Sequence, residues 1–231
     1  MAFRPTTTKE AATANGLKVL CFAPAGYGKT VLCATTGCPD KTLIISCEGG
    51  LLSIRNAPEM AVAEVKTMAE LDEVYDFLKH GEHQFEWVCL DSISEIAEVV
   101  LTAEKGSAKD GRAAYGNLAD IMFDRLRKFR DLPLNVYMSA KQTETVDEGS
   151  KRTRFMPSMP GRTLTQGIAY LFDEVFAIKI NRDADGNPVR WLLTNTDGSY
   201  EAKDRSGSLD LFEPPNLANI YAKIMGDNTN E

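Results

Sequence analysis

The sequence predicts an α/β fold: a mixed, mostly parallel central sheet flanked by helices, with an antiparallel hairpin near the C-terminus. Three observations carry this expectation. Short apolar runs alternate with segments of helical period, the pattern of parallel βαβ units. A glycine-rich turn separates the first apolar run from the first helix. Two later apolar runs flank a short Asp/Gly/Asn turn, which pairs them as a hairpin.

Taken in order, residues 17–23 read as the first strand, followed by the glycine-rich turn and a helix from about Lys29. Residues 42–47 read as a second strand. Residues 68–79 carry Leu71, Val74, Tyr75 and Leu78 at helical spacing, which predicts a crossover helix. Residues 87–90 form a third strand, apolar enough to be buried on both faces. Residues 93–104 and 118–130 are helical, with a Gly- and Lys-containing stretch between them. Residues 134–138 form a fourth strand. Residues 172–180 and 189–194 pair across Asp183-Ala184-Asp185-Gly186-Asn187, and a last helix covers 216–225 after Pro214 and Pro215. No linker, repeat or low-complexity stretch divides the chain. The expected organisation is a polar segment over 1–16 and one domain over 17–231.

Composition narrows the class. Of 231 residues, 43% are hydrophobic and 26% charged, ordinary values for a globular protein with a core of its own. No apolar run approaches the roughly 20 residues of a membrane span, and the N-terminus lacks a secretory apolar core. A net charge of −7 argues against a surface coated for duplex DNA, while leaving room for local basic loops. Cys21, Cys47 and Cys89 sit in or beside apolar runs, and Cys33 and Cys38 have no second pair. With His80 and His83 the only histidines, no zinc spacing emerges, and reduced thiols in a cytoplasmic setting are expected.

The sharpest motif is Ala23-Pro24-Ala25-Gly26-Tyr27-Gly28-Lys29-Thr30, running into Val31. It follows the P-loop pattern G-x-x-x-x-G-K-[ST], with Ala23 in place of the first glycine. Gly26 and Gly28 let the backbone turn its N–H groups towards an anion. Lys29 can reach the β- and γ-phosphates, and the Thr30 hydroxyl can ligate Mg²⁺, so ATP and Mg²⁺ are the expected cofactors. The strand ending in Asp91-Ser92 supplies a carboxylate for that metal, where a lone Asp would otherwise read as a helix cap. Glu48 closes the second strand, where a carboxylate can deprotonate an attacking water; a solvated loop acid is the competing interpretation.

A P-loop, a strand ending in Glu48, a strand ending in Asp91-Ser92, and Ser139 to Gln142 after a fourth strand resemble the core ATPase of RecA. The chain looks most like the small, core-only RecA-like ATPases of phages, the AAA_24-type proteins that include Sak-type single-strand annealing proteins. The resemblance spans about residues 17–225. It implies a RecA-like P-loop fold, Glu48 as the catalytic glutamate, and Gln142 or Ser139 as the γ-phosphate sensor. Ala202-Lys203-Asp204-Arg205-Ser206-Gly207 resembles the Lys-x-Arg element that reaches into a neighbouring subunit's ATP site. An arginine supplied in trans stabilises the charge that develops in phosphoryl transfer, so Lys203 and Arg205 imply a homo-oligomer, ring or filament. An exposed basic turn is the alternative.

Two segments fall where relatives of RecA line a DNA channel. Residues 104–116 contain Lys105, Lys109 and Arg112. Residues 143–162 contain Lys151, Arg152, Arg154, Phe155 and Arg162, with four basic residues and no acid from 150 to 162. Flexible loops with basic clusters and an aromatic ring suit single-stranded DNA, charge following the backbone and the ring stacking on a base. The competing interpretation has a solubilising loop with Phe155 tucked into the core.

The expected function is therefore Mg²⁺-dependent ATP hydrolysis, DNA-stimulated, in phage recombination or replication within the host bacterial cytoplasm. Phage single-strand binding or recombination proteins are the expected partners. A nucleotide-switched assembly factor with slow hydrolysis and a small-molecule P-loop kinase are the alternatives. Glu48 and the Lys203/Arg205 pair separate them, since a pure binder needs neither.

Overall fold

The computed structural model describes residues 5–146, 149 and 151–226. Ten strands among them join one sheet: β1 (Lys18–Ala23), β2 (Thr42–Ser46), β3 (Ala61–Glu64), β4 (Trp87–Asp91), β5 (Asn135–Val146), β6 (Thr153–Ser158), β7 (Glu174–Arg182), β8 (Pro188–Leu193), β9 (Lys203–Asp204) and β10 (Phe212–Glu213). Their order is β10-β8-β7-β1-β5-β4-β2-β3, with β6 paired to β5 and β9 to β7. The six strands from β7 to β3 are parallel, and β8, β10, β6 and β9 add antiparallel pairings. The helices are α1 (Thr8–Thr13), α2 (Lys29–Cys33), α3 (Met68–His80), α4 (Ile93–Ser107), α5 (Gly111–Arg130), α6 (Arg162–Gly167) and α7 (Leu217–Met225). Among the described residues no helix is long and apolar enough to cross a membrane.

The alternation of side chains along a strand divides the core in two. Leu20 and Phe22 of β1 face a cluster built with α3, α4 and α5 through Leu71, Ile96, Leu118 and Phe129. Val19, Cys21 and Ala23 face the other side, against Leu32 and Cys33 of α2 and Leu217 and Ile220 of α7. A strand covered on both faces must be apolar throughout, which is why β1, β2 and β4 are legible as continuous runs.

The helices begin where a polar side chain satisfies their first free N–H groups. Thr67 and Glu70 form a capping box on α3, and Ser92 caps α4 through the Glu95 N–H. Asp110 accepts from the Ala113 N–H at 2.9 Å and starts α5. That cap corrects the expected flexible loop at 104–116. α4 runs on to Ser107 and α5 opens at Gly111, so Lys105 and Arg112 stand on helices and only Lys109 lies in the short break. Gly106 weakens the last turn of α4 without ending it, because helix interiors tolerate a glycine at about 1 kcal/mol.

Most of the second expected loop is strand or helix. β5 continues to Val146 and pairs antiparallel with β6, matching Glu144 to Phe155 and Thr145 to Arg154. Arg162 opens α6 rather than ending a loop. Asp147, Glu148 and Ser150 of that stretch lie outside the described residues. The 172–180/189–194 hairpin forms as expected, as β7 and β8, with Asp183 accepting from the Asp185 and Asn187 N–H groups in the turn.

Candidate nucleotide site

The P-loop joins the end of β1 to the start of α2. Ala23 is fully buried against Leu32 and Cys33, so a methyl group there has a place in the core and the missing glycine is accommodated. Gly26 and Gly28 have φ of 78° and 104°, the left-handed region that favours glycine. A Cβ on Gly26 would meet nothing within 4 Å, leaving the concave side of the loop open. Lys29 Nζ donates to the carbonyls of Ala23 at 2.9 Å and Pro24 at 3.0 Å, which lays the ammonium across the loop. Burial pushes its pKa down, opposed by the nearby Cys21, Asp91 and Glu48. The Tyr137 hydroxyl donates to the Lys29 carbonyl at 2.9 Å and ties the start of α2 to β5.

Asp91 ends β4 almost fully buried. Thr30 Oγ1 donates to its Oδ2 at 2.6 Å and Ser139 Oγ donates to its Oδ1. The next peptide, Asp91–Ser92, is cis. Ser92 Oγ donates to Glu48 Oε1. β2 and β4 are neighbours with Ser46 opposite Asp91, so Glu48 and Asp91 emerge side by side from the carboxyl ends of adjacent strands. Asp91 thus accepts from two hydroxyl groups and Glu48 from one.

A cavity of about 720 Å³ covers this edge, lined by residues 23–32 with Glu48, Asp91, Lys141, Gln142 and Arg190. That volume lies within the usual range for small-molecule sites. The fit to ATP and Mg²⁺ rests on donor chemistry: an open glycine loop and a lysine for the phosphates, and the Thr30 and Asp91 oxygens for a hard cation. Mg²⁺ is commonly held by one or two protein oxygens, with phosphates and waters completing its shell.

The structure separates the two sensor candidates. Ser139 is fully buried and occupied with Asp91, whereas Gln142 lines the cavity. Lys203 and Arg205 are elsewhere. β9 pairs with the first residues of β7, and Arg205 forms an ion pair with Asp173 at 2.7 Å. A second cavity of about 620 Å³ lies there, at the amino ends of the strands, lined by Lys18, Glu174 and Arg205 among others. Arg205 stands level with Lys18, five residues before Ala23, or about 16 Å along the strand. It does not reach its own P-loop.

Of the nucleic-acid candidates, Lys151, Arg152 and Arg154 are exposed on the β5–β6 hairpin. Phe155 is not a free ring: it stacks on Tyr200 at 4.6 Å between centroids and packs against the core, a correction to the stacking role expected of it. Tyr115 of α5 is exposed instead, with Lys105 Nζ 5.8 Å from its ring centre and its ring against Gly161, the residue before Arg162. The two predicted segments thus meet at one place.

Sequence reasoning gave no role to Ser92, Lys141 or Arg190. Ser92 adjoins Asp91 in sequence, so its motif position could have flagged it. Arg190 arrives from β8, and nothing local in the sequence announces it.

No curated protein matches the sequence. A solved structure with detectable similarity is a KaiC-like protein from the hyperthermophilic archaeon Pyrococcus horikoshii OT3, 12% identical, with a TM-score of 0.47 over 78% of each chain. Residues 15–206, most of the chain, match the family model AAA_24, described as an AAA domain. The chain therefore belongs to the AAA_24 family and is a P-loop ATPase.

Proposed function

We propose that this protein hydrolyses ATP with Mg²⁺ and couples that reaction to single-stranded DNA, as a homo-oligomer in phage recombination or replication. On this reading the ATPase core is one domain over residues 17–231 working in the host cytoplasm beside phage single-strand binding or recombination proteins. The observation that carries the DNA part is the path of β5. It holds Asp91 through Ser139, passes the cavity at Gln142, and runs on to Val146, pairing there with β6, which carries Arg154 and follows Lys151 and Arg152. Nucleotide site and basic hairpin share one strand.

In the reaction, Lys29 places its charge on the β- and γ-phosphates, and Gln142 faces the terminal phosphate from β5. Thr30 and Asp91 would hold Mg²⁺, which would supply positive charge to offset that of the phosphates. Glu48, oriented by Ser92, accepts the proton of the attacking water. Arg205 and Lys203, on the far edge of the sheet, serve the site of the next subunit, where they stabilise charge on the transferred group. On the DNA side, the hairpin cations follow the phosphate backbone. Lys105, Lys109, Arg112 and Arg162 extend that surface, and Tyr115 supplies the exposed ring that Phe155 does not.

ATP turnover with and without single-stranded DNA tests this, with Lys29→Ala as control. Turnover that rises with DNA and vanishes in the variant is expected. Turnover indifferent to DNA removes the coupling, and unchanged turnover in Lys29→Ala removes the assigned ATP site.

A further inference from the structure

Among the described residues Arg190 is the one arginine lining the nucleotide cavity, and it comes from outside the P-loop, β2, β4 and β5. Its Nε donates to the Tyr27 carbonyl at 3.0 Å. A Cβ on Gly28 would lie 3.6 Å from its Cδ and Nε, so the side chain runs along the loop at the residue just before Lys29. The single bond to Tyr27 uses one of the five N–H donors of a guanidinium. Among the described residues Arg190 makes no ion pair with a carboxylate, unlike Arg125, Arg130 and Arg205. An exposed arginine needs no such partner, but this one is held by its Nε against a loop built for anions. Its two terminal nitrogens have the fork geometry that grips phosphate oxygens.

We propose that Arg190 is a phosphate-gripping residue of the nucleotide site, acting in cis from the C-terminal hairpin to clamp the phosphate chain against the P-loop. The inference rests on the nucleotide-binding reading above and adds its binding determinant outside the local motif. Arg190 belongs to the same chain as the loop it touches, so its contribution is independent of assembly, in contrast to that of Arg205.

The test separates charge from bracing. Glutamine carries an amide nitrogen at the position of arginine Nε. Arg190→Gln therefore keeps the donor to Tyr27 and loses the charged fork, whereas Arg190→Lys keeps the charge. Binding of ADP, inorganic tripolyphosphate and adenosine is measured by calorimetry on the full chain, with circular dichroism to verify the fold. Loss of a charge-assisted phosphate contact predicts roughly 10- to 100-fold weaker ADP and tripolyphosphate binding in Arg190→Gln. Partial recovery in Arg190→Lys and no change for adenosine complete the expected pattern. Equal tripolyphosphate affinity in wild type and Arg190→Gln overturns the proposal, as does a loss for adenosine as large as that for ADP, which would assign Arg190 to the base. Wild-type protein that binds neither ADP nor tripolyphosphate would overturn the nucleotide reading itself, a result distinct from a failure of Arg190 alone.

Discussion

Replacing Glu174 by Gln should make the protein more stable at neutral pH. Glu174 opens β7 fully buried, and its Oε1 accepts from the Ser206 N–H at 3.3 Å. The Asp204 carboxylate stands close by, and Glu174 Oε2 is buried with no hydrogen-bond partner among the described residues, so nothing compensates a charge there. Burial, and then the Asp204 charge, push the Glu174 pKa from 4.5 up to about 8. The folded protein therefore retains a proton that the unfolded chain releases above pH 4.5, and stability falls as pH rises from there towards 8. At pH 7 the cost is on the order of 3 kcal/mol, from 2.5 pH units at about 1.4 kcal/mol each. Glutamine supplies the same shape with no charge to bury, so the variant should lose this slope and gain most of that energy. Urea unfolding at intervals from pH 4.5 to 7.5 measures it. The range stops below 8 because Lys18, whose pKa burial lowers to about 8, contributes with the opposite sign above that point. Parallel pH profiles for the two proteins, or a variant less stable at pH 7, would refute a protonated Glu174. ATP turnover at pH 7 should not change, since Asp204 still accepts from the Gly207 and Leu209 N–H groups and so anchors the turn that carries Arg205.

Other expectations concern the sites directly. Glu48→Gln should bind ATP and lose hydrolysis by roughly 10²- to 10⁴-fold, the usual weight of a general base, and a collapse of binding instead would make Glu48 a nucleotide contact. Ser92→Ala frees Glu48 and removes the cap of α4, so it should cost about 1 kcal/mol in chemical unfolding and lower kcat with KM unchanged; an unaltered kcat would remove Ser92 as a positioning residue. Substituting Lys151, Arg152 and Arg154 together by Ala should reduce the slope of log K against log salt for single-stranded DNA by roughly 0.7 per lost phosphate contact, and an identical slope would show that the hairpin does not touch the strand. Arg205→Ala should bind ATP yet hydrolyse it slowly, and mixing it with Lys29→Ala subunits should restore turnover, which no cis-acting residue allows.

The legible parts of the fold are those whose physics is local. β1, β2 and β4 are covered on both faces and appear as apolar runs, and the P-loop is readable because its glycines and lysine are consecutive. β3 escaped because a mostly exposed edge strand of four residues needs no apolar run. β6 escaped because Pro157 is a poor strand signal in a short basic segment, which is held by its register with β5 rather than by its own preference. The stretch 104–116 reads as a loop because three glycines and several charges interrupt it, yet Asp110 confines the break to three residues. In the site, Lys29, Thr30, Asp91 and Glu48 followed from strand ends. Arg190 did not, since its place depends on β8 lying two strands from β1.

The sheet sets a demand on assembly. Parallel strands carry the P-loop, Glu48 and Asp91 at their carboxyl ends, and the turn bearing Arg205 lies at their amino ends. A face-to-face dimer about a two-fold axis joins like surfaces, so it brings one P-loop to another or one Arg205 to another. A head-to-tail contact sets the amino edge of one subunit on the carboxyl edge of the next, and such contacts close into rings or extend as filaments. Asp173 holds Arg205 within its own subunit by an exposed ion pair, a contact generally worth less than about 1 kcal/mol. On the trans reading, a transferring phosphate would offer that guanidinium more negative charge than Asp173 does, so this weak exposed pair would oppose the exchange little. The trans role proposed for Arg205 thus suits polar assembly with little rearrangement within the chain.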